Sequence, residues 1–263
     1  MQIQGTRALV TGAAGGIGAA IARRLRSEGA ELVISGRRRE PLDELAAQIG
    51  ASVVTADLAV RSELHALVDA AGAVDILVAN AALPAAGAID SFTEDEIDRA
   101  LEVNLHAPII LSRALLPGMR SRGRGQIVYI SSLSGKVTST RTGIYNASKF
   151  GLRGFAGALR ADLHGTGVGV SAIFPGFISD AGMFVESGGE LPPGVSTRSP
   201  EQVAAAVSKA VLRDVAEIDV APISLRAGAW FANFAPDAAA ALTRRMGGDE
   251  LSRKMEEGHA EHR

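Results

Sequence analysis

One junction constrains this chain more than any other feature: a short apolar run that passes directly through a glycine turn into an alanine-rich stretch. Arg7–Thr11 reads RALVT, the turn is Gly12-Ala13-Ala14-Gly15-Gly16-Ile17-Gly18, and AAIARRLRSEGA follows. The apolar run predicts a buried strand and Gly16–Glu28 predicts a helix. A strand, a glycine turn and a helix in that order aim the free first-turn N–H groups, and the positive end of the helix dipole, past the carboxyl end of the strand. Such a place suits a pyrophosphate. Glycine and alanine keep side chains out of its approach. A Gly-Lys-Ser/Thr ending, which a triphosphate-binding loop would need, is missing, so ATP or GTP hydrolysis has no support.

The same alternation continues along the 263 residues. Glu31–Ser35, Ser52–Ala56, Asp75–Ala79, Gln126–Ser131, Val168–Phe174 and Ile218–Ala221 read as further strands. Glu40–Gln48, Ser62–Ala71, Glu94–Arg120 and Ile144–His164 are long enough for helices. Strands that are continuously apolar belong in a parallel sheet covered on both faces, so the expected fold is α/β, a single doubly wound sheet of about seven strands. Thr93 with Glu96, and Ser199-Pro200-Glu201-Gln202, mark two capped helix starts. Pro108 and Pro117 predict a kink and then a stop in the long helical segment. Gly247–Arg263 is charged and lacks a strong apolar stripe, which predicts a frayed tail.

Composition narrows the chemistry. There is no cysteine, which excludes disulfides, thiolate nucleophiles and cysteine-ligated zinc. His259 and His262 sit in the polar tail without a third ligand, so no metal site is expected. A net charge of −2 offers no electrostatic reason for a nucleic-acid partner. No basic-then-apolar leader and no long apolar run is visible, and the expectation is a soluble, cytoplasmic protein without an integral membrane segment. H-E-x-x-H and G-x-S-x-G are both absent, leaving zinc-peptidase and serine-hydrolase readings unsupported.

The chemical signal is concentrated between Ser131 and Lys149. Tyr145 and Lys149 stand at i and i+4 on a predicted helix and share a face. A nearby ammonium favours phenolate, so Tyr145 is expected to have a lowered pKa and to act as an acid toward a carbonyl or a base toward an alcohol. Asn146-Ala147-Ser148 matches a glycosylation acceptor, but it lies on top of this pair and is discounted.

Thr11-Gly12-x-x-x-Gly16-x-Gly18 together with Tyr145-x-x-x-Lys149 resembles the short-chain dehydrogenase/reductase family, over about residues 5 to 222. The resemblance implies a Rossmann-like fold and hydride transfer between a nicotinamide and a carbonyl or secondary alcohol. It selects Ser132, 13 residues before Tyr145, over Ser131 and Ser134, as the residue that steadies the reacting oxygen. It gives Lys149 the nicotinamide ribose and proton release, and Asn104 a helix bend and a water relay. It assigns cofactor contacts to Gly12, Gly16, Ile17, Gly18, Asp57, Leu58, Asn80, Ala81, Tyr145, Lys149, Pro175 and Ile178. Ala79 and Ala82 replace two residues of the family's motif around Asn80, and Asp180 stands where many members carry Thr. An acid at the position of Gly36 marks an NAD-preferring member. Here Gly36 is followed by Arg37, Arg38 and Arg39, and an arginine can pair with a 2′-phosphate, so Arg37 points to NADP(H), with NAD(H) as the alternative.

A regulatory dinucleotide-binding protein without catalysis would be expected to lack Tyr145 or Lys149. A dehydratase or epimerase using the same pair usually needs a longer carboxyl-terminal substrate domain. Residues 1–222 are expected to form the catalytic unit, with a substrate lid over about 177–200 whose Met183, Phe184, Val185 and Leu191 favour an apolar or acyl-bearing carbonyl compound. Residues 223–263 are expected to be a helical C-terminal extension and tail of the same domain, in which Leu225–Arg245, with Trp230, Phe231 and Phe234, covers the pocket, builds an interface or touches a membrane surface. Family members pair as homodimers or homotetramers through the segments Glu94–Arg120 and Ile144–His164, and the same is expected here.

Overall fold

The structure is a computed structural model that describes residues 1–180, 182–187, 196–245 and 248–259. The chain alternates β1 (Arg7–Thr11), α1 (Gly16–Ser27), β2 (Glu31–Gly36), α2 (Arg39–Ile49), β3 (Ser52–Thr55), α3 (Arg61–Ala71) and β4 (Ile76–Ala79). The second half continues with α4 (Glu94–Leu101), α5 (Ala107–Ser121), β5 (Gly125–Ile130), α6 (Gly143–Asp162), β6 (Val168–Pro175), α7 (Met183–Glu186), α8 (Pro200–Arg213) and β7 (Glu217–Val220). Three helices close it: α9 (Ile223–Phe234), α10 (Pro236–Arg245) and α11 (Gly248–His259). Among the described residues no helix is long and apolar enough to cross a membrane.

All seven strands are parallel, in the order β3-β2-β1-β4-β5-β6-β7. Alternate residues of each strand feed opposite layers. Ala8, Val10, Ile76, Val78, Val128 and Ile130 pack beneath α1, α2 and α8, with Ile21, Leu25, Leu42 and Val207. Leu9, Leu77, Ile127 and Tyr129 pack beneath α3, α5 and α6, with Leu67, Leu111, Met119 and Leu152. Burial on both faces is why these strands read as continuous apolar runs. The strand order reverses between β1 and β4, which opens a crevice off their carboxyl ends.

The long segment from Glu94 is interrupted near Asn104 and Pro108 as expected, and departs from expectation at Pro117. Its bend is a π-helical turn over Glu102–His106, in which the Ala107 amide donates to the Glu102 carbonyl, just ahead of Pro108. Pro117 does not stop α5, which continues to Ser121. The carbonyl that Pro117 deprives of a partner belongs to exposed Arg113, where water can replace the lost bond, while Leu111, Leu115 and Met119 hold the opposite face on the sheet.

The predicted frayed tail is also corrected. Residues 248–259 form α11, which packs on α7, and Ser252 within it is buried. Gly247 and 260–263, including His262, lie outside the described residues, as does Leu191 of the expected lid. In that lid Phe184 packs on Phe177, ring centroids 5.0 Å apart, whereas Val185 is exposed. On α9, Trp230 and Phe234 stack on one another and stay largely exposed.

Candidate active site

The glycine turn is shaped by crowding. Gly12 adopts φ +65°, and a Cβ there would lie 2.7 Å from Ala81 Cα. A Cβ at Gly18 would overlap the Gly12 carbonyl oxygen and sit 2.8 Å from Asn80 Nδ2. Asn80 creates much of this crowding. Its Nδ2 donates to the carbonyls of Thr11 (3.0 Å) and Gly12 (3.1 Å), and the amides of Asn80 and Ala81 donate to Thr11 Oγ1 (3.1 and 3.2 Å). The ends of β1 and β4 are thereby laced together at the reversal of strand order. Behind this lacing α1 begins at Gly16 with no side-chain cap and no acid in its first turn, and Gly15 and Gly16 are exposed. First-turn amides without a protein acceptor, at the positive end of a helix, fit a pyrophosphate. Ile17 is half-buried beside Gly182, so the turn also borders the lid.

At the end of β2 the three arginines diverge. Arg39 is taken by Asp43 at 2.7 Å and Arg38 is the N-cap of α2, while exposed Arg37 has no hydrogen-bond partner among the described residues. After β3, burial would raise the Asp57 carboxyl. Arg99 Nη2 at 2.7 Å, the Ala59 amide at 3.0 Å and the charge of Arg37 outweigh it and hold Asp57 below its ordinary pKa. Leu58 is buried in the layer beneath α3, α5 and α6.

The segment after β5 separates the three serines. Ser131 is buried and its Oγ donates to the Lys149 carbonyl (3.2 Å). The carbonyl of Ser134 accepts from Asn146 Nδ2 (2.6 Å), so Asn146 is a buried brace. Half-buried Ser132 accepts from the Ser134 amide (3.1 Å), and its hydroxyl lies close enough to Tyr145 to pull the phenol's pKa down. Gly135 makes this possible: a Cβ there would lie 2.7 Å from the Lys149 carbonyl oxygen and 2.8 Å from Ser131 Oγ. The loop therefore seats directly on the backbone of α6.

Lys149 is 2% exposed, with its Nζ donating to the Ile130 carbonyl (3.2 Å) and lying 5.5 Å from the Tyr145 ring centroid. Burial lowers its pKa to about 8. Burial likewise raises Tyr145 to about 12, against which the nearby Ser132 hydroxyl pulls downward. The expected lowering of Tyr145 by Lys149 is thus reversed in the protein alone, because desolvation penalises both charged forms.

Asn104 is buried in the π turn, where its Oδ1 accepts from the Leu83 amide (2.7 Å) and its Nδ2 donates to the Leu83 carbonyl (2.9 Å). Its side chain is therefore committed to the β4–α4 loop. Its main-chain carbonyl has no α-helical donor four residues on, since that residue is Pro108. Beyond Pro175 at the end of β6, Ile178 forms a parallel bridge with Arg198, in which the Arg198 amide donates to Phe177 and the Ser179 amide to Arg198. That pattern turns Ile178's own N–H and C=O to the other side of the segment. Asp180 takes φ +62°, a conformation Asp tolerates better than Thr would.

Sequence reading missed Leu83, Gly135 and the Pro108 effect. Only the last left a trace, an Asn and a Pro four residues apart on a helix.

A seven-stranded parallel sheet in this order has known counterparts. The short chain dehydrogenase family model matches residues 6–190, and the chain belongs to that family. The ketoacyl reductase HetN of Nostoc sp. is 36% identical over 227 residues, 83% of this chain and 79% of that protein. A solved structure of a short chain dehydrogenase/reductase family protein superposes with a TM-score of 0.78 at 31% identity, covering 83% of this chain and 97% of the other. A metagenomic short-chain oxidoreductase in complex with NADP gives 0.72 at 32% identity, covering 84% and 99%. The chain is thus an oxidoreductase of a family that binds NAD(P).

Proposed function

We propose that this protein is an NADP(H)-dependent carbonyl reductase or alcohol dehydrogenase whose reacting site is Tyr145, Ser132, Lys149 and Asn104. The observation that carries this reading is the buried Lys149 amine, 5.5 Å from the Tyr145 ring centroid, with the Ser132 hydroxyl near enough to the tyrosine to pull its pKa down. The nicotinamide dinucleotide, when bound, supplies the hydride for the substrate carbon or accepts it. The amides of Gly16, Ile17 and Gly18 would hold its pyrophosphate, with Gly12, Asn80 and Ala81 keeping the approach open. Asp57 and Leu58 would border the adenine, and Arg37 would meet the 2′-phosphate. The outward N–H and C=O of Ile178, held by the turn after Pro175, would bind the carboxamide.

In reduction, Tyr145 donates its proton to the carbonyl oxygen while Ser132 holds that oxygen by a hydrogen bond. A phenol kept protonated by burial is an acid throughout the neutral range. The Lys149 ammonium binds the nicotinamide ribose and steadies the phenolate left behind. Asn104 contributes through its main-chain carbonyl, a place for a water linking Lys149 to solvent. The Phe177–Phe184 pair at the lid, and the ketoacyl reductase HetN among the relatives, favour an apolar or acyl-bearing carbonyl compound over a free sugar. The same reading carries a homo-oligomer joined through α5 and α6, whose outer face is open at Gly154 and Gly157.

Absorbance at 340 nm tests this with NADPH or NADH and a panel of β-keto esters, acyl thioesters, ketosteroids and ketoses. The expected result is turnover of a keto ester or thioester with NADPH ahead of NADH. Preference for a ketose, or no turnover of any carbonyl with either coenzyme, overturns it.

A further inference from the structure

The helix α11 touches all three loops that surround Ser132 and Tyr145. The β4–α4 and β5–α6 loops form one lip of the cleft, joined where the Gly87 amide donates to the Arg141 carbonyl (2.6 Å). Glu256 of α11 binds that lip twice, accepting from the Ala88 amide (3.3 Å) and pairing with the Arg141 guanidinium. Its side chain is only 17% exposed, so the pair is partly withdrawn from water. The lid α7 and Ser187, after β6, form the other lip. A Cβ at Gly258 would overlap the Ser187 carbonyl oxygen and lie 2.6 Å from Ser187 Cα, so the helix backbone rests directly on this lip. Glu256 and Gly258 stand two residues apart, about 200° around an α-helix. Opposite sides of one helix therefore grip opposite lips. A helix held this way is wedged between the lips rather than laid across the outside.

We infer that α11 is a plug in the mouth of the cleft, latched by Glu256 to Arg141 and seated on Ser187 through Gly258. It sets the size of substrate admitted: compact carbonyl compounds pass, and bulky ones enter only when the latch opens. This rests on Ser132 and Tyr145 being the reacting site, but the test below reads the plug without turnover. Failure to find a substrate therefore does not decide it.

The absence of native cysteine makes Ser132→Cys a clean reporter. Its alkylation is followed with iodoacetamide, which is small, and with a polyethylene-glycol maleimide, which is bulky. Adding Glu256→Gln or Gly258→Ala is expected to raise the bulky-reagent rate by about ten-fold while the iodoacetamide rate moves less than about two-fold. Alanine is the better helix former, so Gly258→Ala unseats α11 without weakening it as a helix. The exchanged pair Arg141→Glu with Glu256→Arg should bring the bulky-reagent rate back toward the starting value. Equal rates with and without the latch overturn the plug, and so does equal acceleration of both reagents. Hydrogen exchange on proteins keeping Ser132 gives a second reading. Faster exchange in Glu256→Gln confined to 182–187, 248–259 and the Ala88 lip supports the plug, and unchanged exchange overturns it.

Discussion

The glycine turn after β1 and the Ser132–Lys149 segment face the same crevice and are built by opposite means. The turn works through what it lacks: Gly12 and Gly18 leave no room for a Cβ, and the groups presented are main-chain amides. The second region works through side chains that are buried and already committed. Ser131 holds the Lys149 carbonyl, Asn146 braces the loop, and Tyr145 and Lys149 are pushed away from charge by their surroundings. A backbone cradle is insensitive to pH and intolerant of bulk. A cluster of buried ionisable groups is tolerant of neither lost polarity nor changed charge. The two regions should therefore fail separately.

The largest separation is expected from Tyr145→Phe. Removing the phenolic proton should lower kcat by about a thousand-fold, within the range general acid–base catalysis contributes, while NADPH binding measured by fluorescence stays within about two-fold. Retained turnover would remove Tyr145 from the chemistry. Gly18→Ala should do the converse. Its Cβ cannot coexist with the Gly12 carbonyl oxygen and Asn80 Nδ2 where they stand, so the backbone of the turn must shift. Coenzyme affinity is expected to fall by about a hundred-fold, with kcat at saturating coenzyme changed much less. A drop in kcat matching the loss of affinity would mean the two regions are one mechanical unit.

The contrast also decides how much was legible beforehand. Strand positions emerge from sequence because parallel strands buried on both faces leave continuous apolar runs, and Arg7–Thr11 coincides with β1. The Ser132, Tyr145 and Lys149 set was legible as spacing. What spacing could not carry was environment: the lysine four residues from Tyr145 was visible, but not the burial that moves both pKa values against charge. Likewise α11 escaped notice because its own sequence is polar. It is held by partners far away in the chain, Arg141 and Ser187, and tertiary contacts of that kind leave no local period. Pro117 misled for the complementary reason, its cost being absorbed by solvent at an exposed carbonyl.

Buried charge in one region and not the other predicts a pH signature of stability. Lys149 has a folded pKa of about 8 against an ordinary 10.5. Between those values the unfolded chain binds the proton more than the folded one, so folding stability rises as pH rises from 8. Tyr145 acts the other way, but only above pH 10, where the unfolded chain gives up a phenolic proton that the folded protein retains. In the window from pH 8 to 10 the lysine acts alone, contributing about 2 kcal/mol. Urea unfolding of the coenzyme-free protein should show this rise, and Lys149→Met should abolish it. A slope unchanged in Lys149→Met would place the proton elsewhere.

The smallest expected effect belongs to Arg37, the side chain proposed to meet the 2′-phosphate. Arg37 is exposed, so its pairing with a 2′-phosphate is screened by water and salt and cannot match a buried contact. Of its neighbours, Arg39 is paired with Asp43, while the Arg38 side chain makes no cap hydrogen bond to α2. Arg37→Ala should raise the KM for NADPH by about ten-fold at low ionic strength, the scale of one charge-assisted hydrogen bond, and by less as salt is added. The KM for NADH, which lacks that phosphate, should stay within about two-fold. Equal losses for both coenzymes would show that Arg37 shapes the end of β2 rather than reading the phosphate. The cradle would then discriminate through backbone alone.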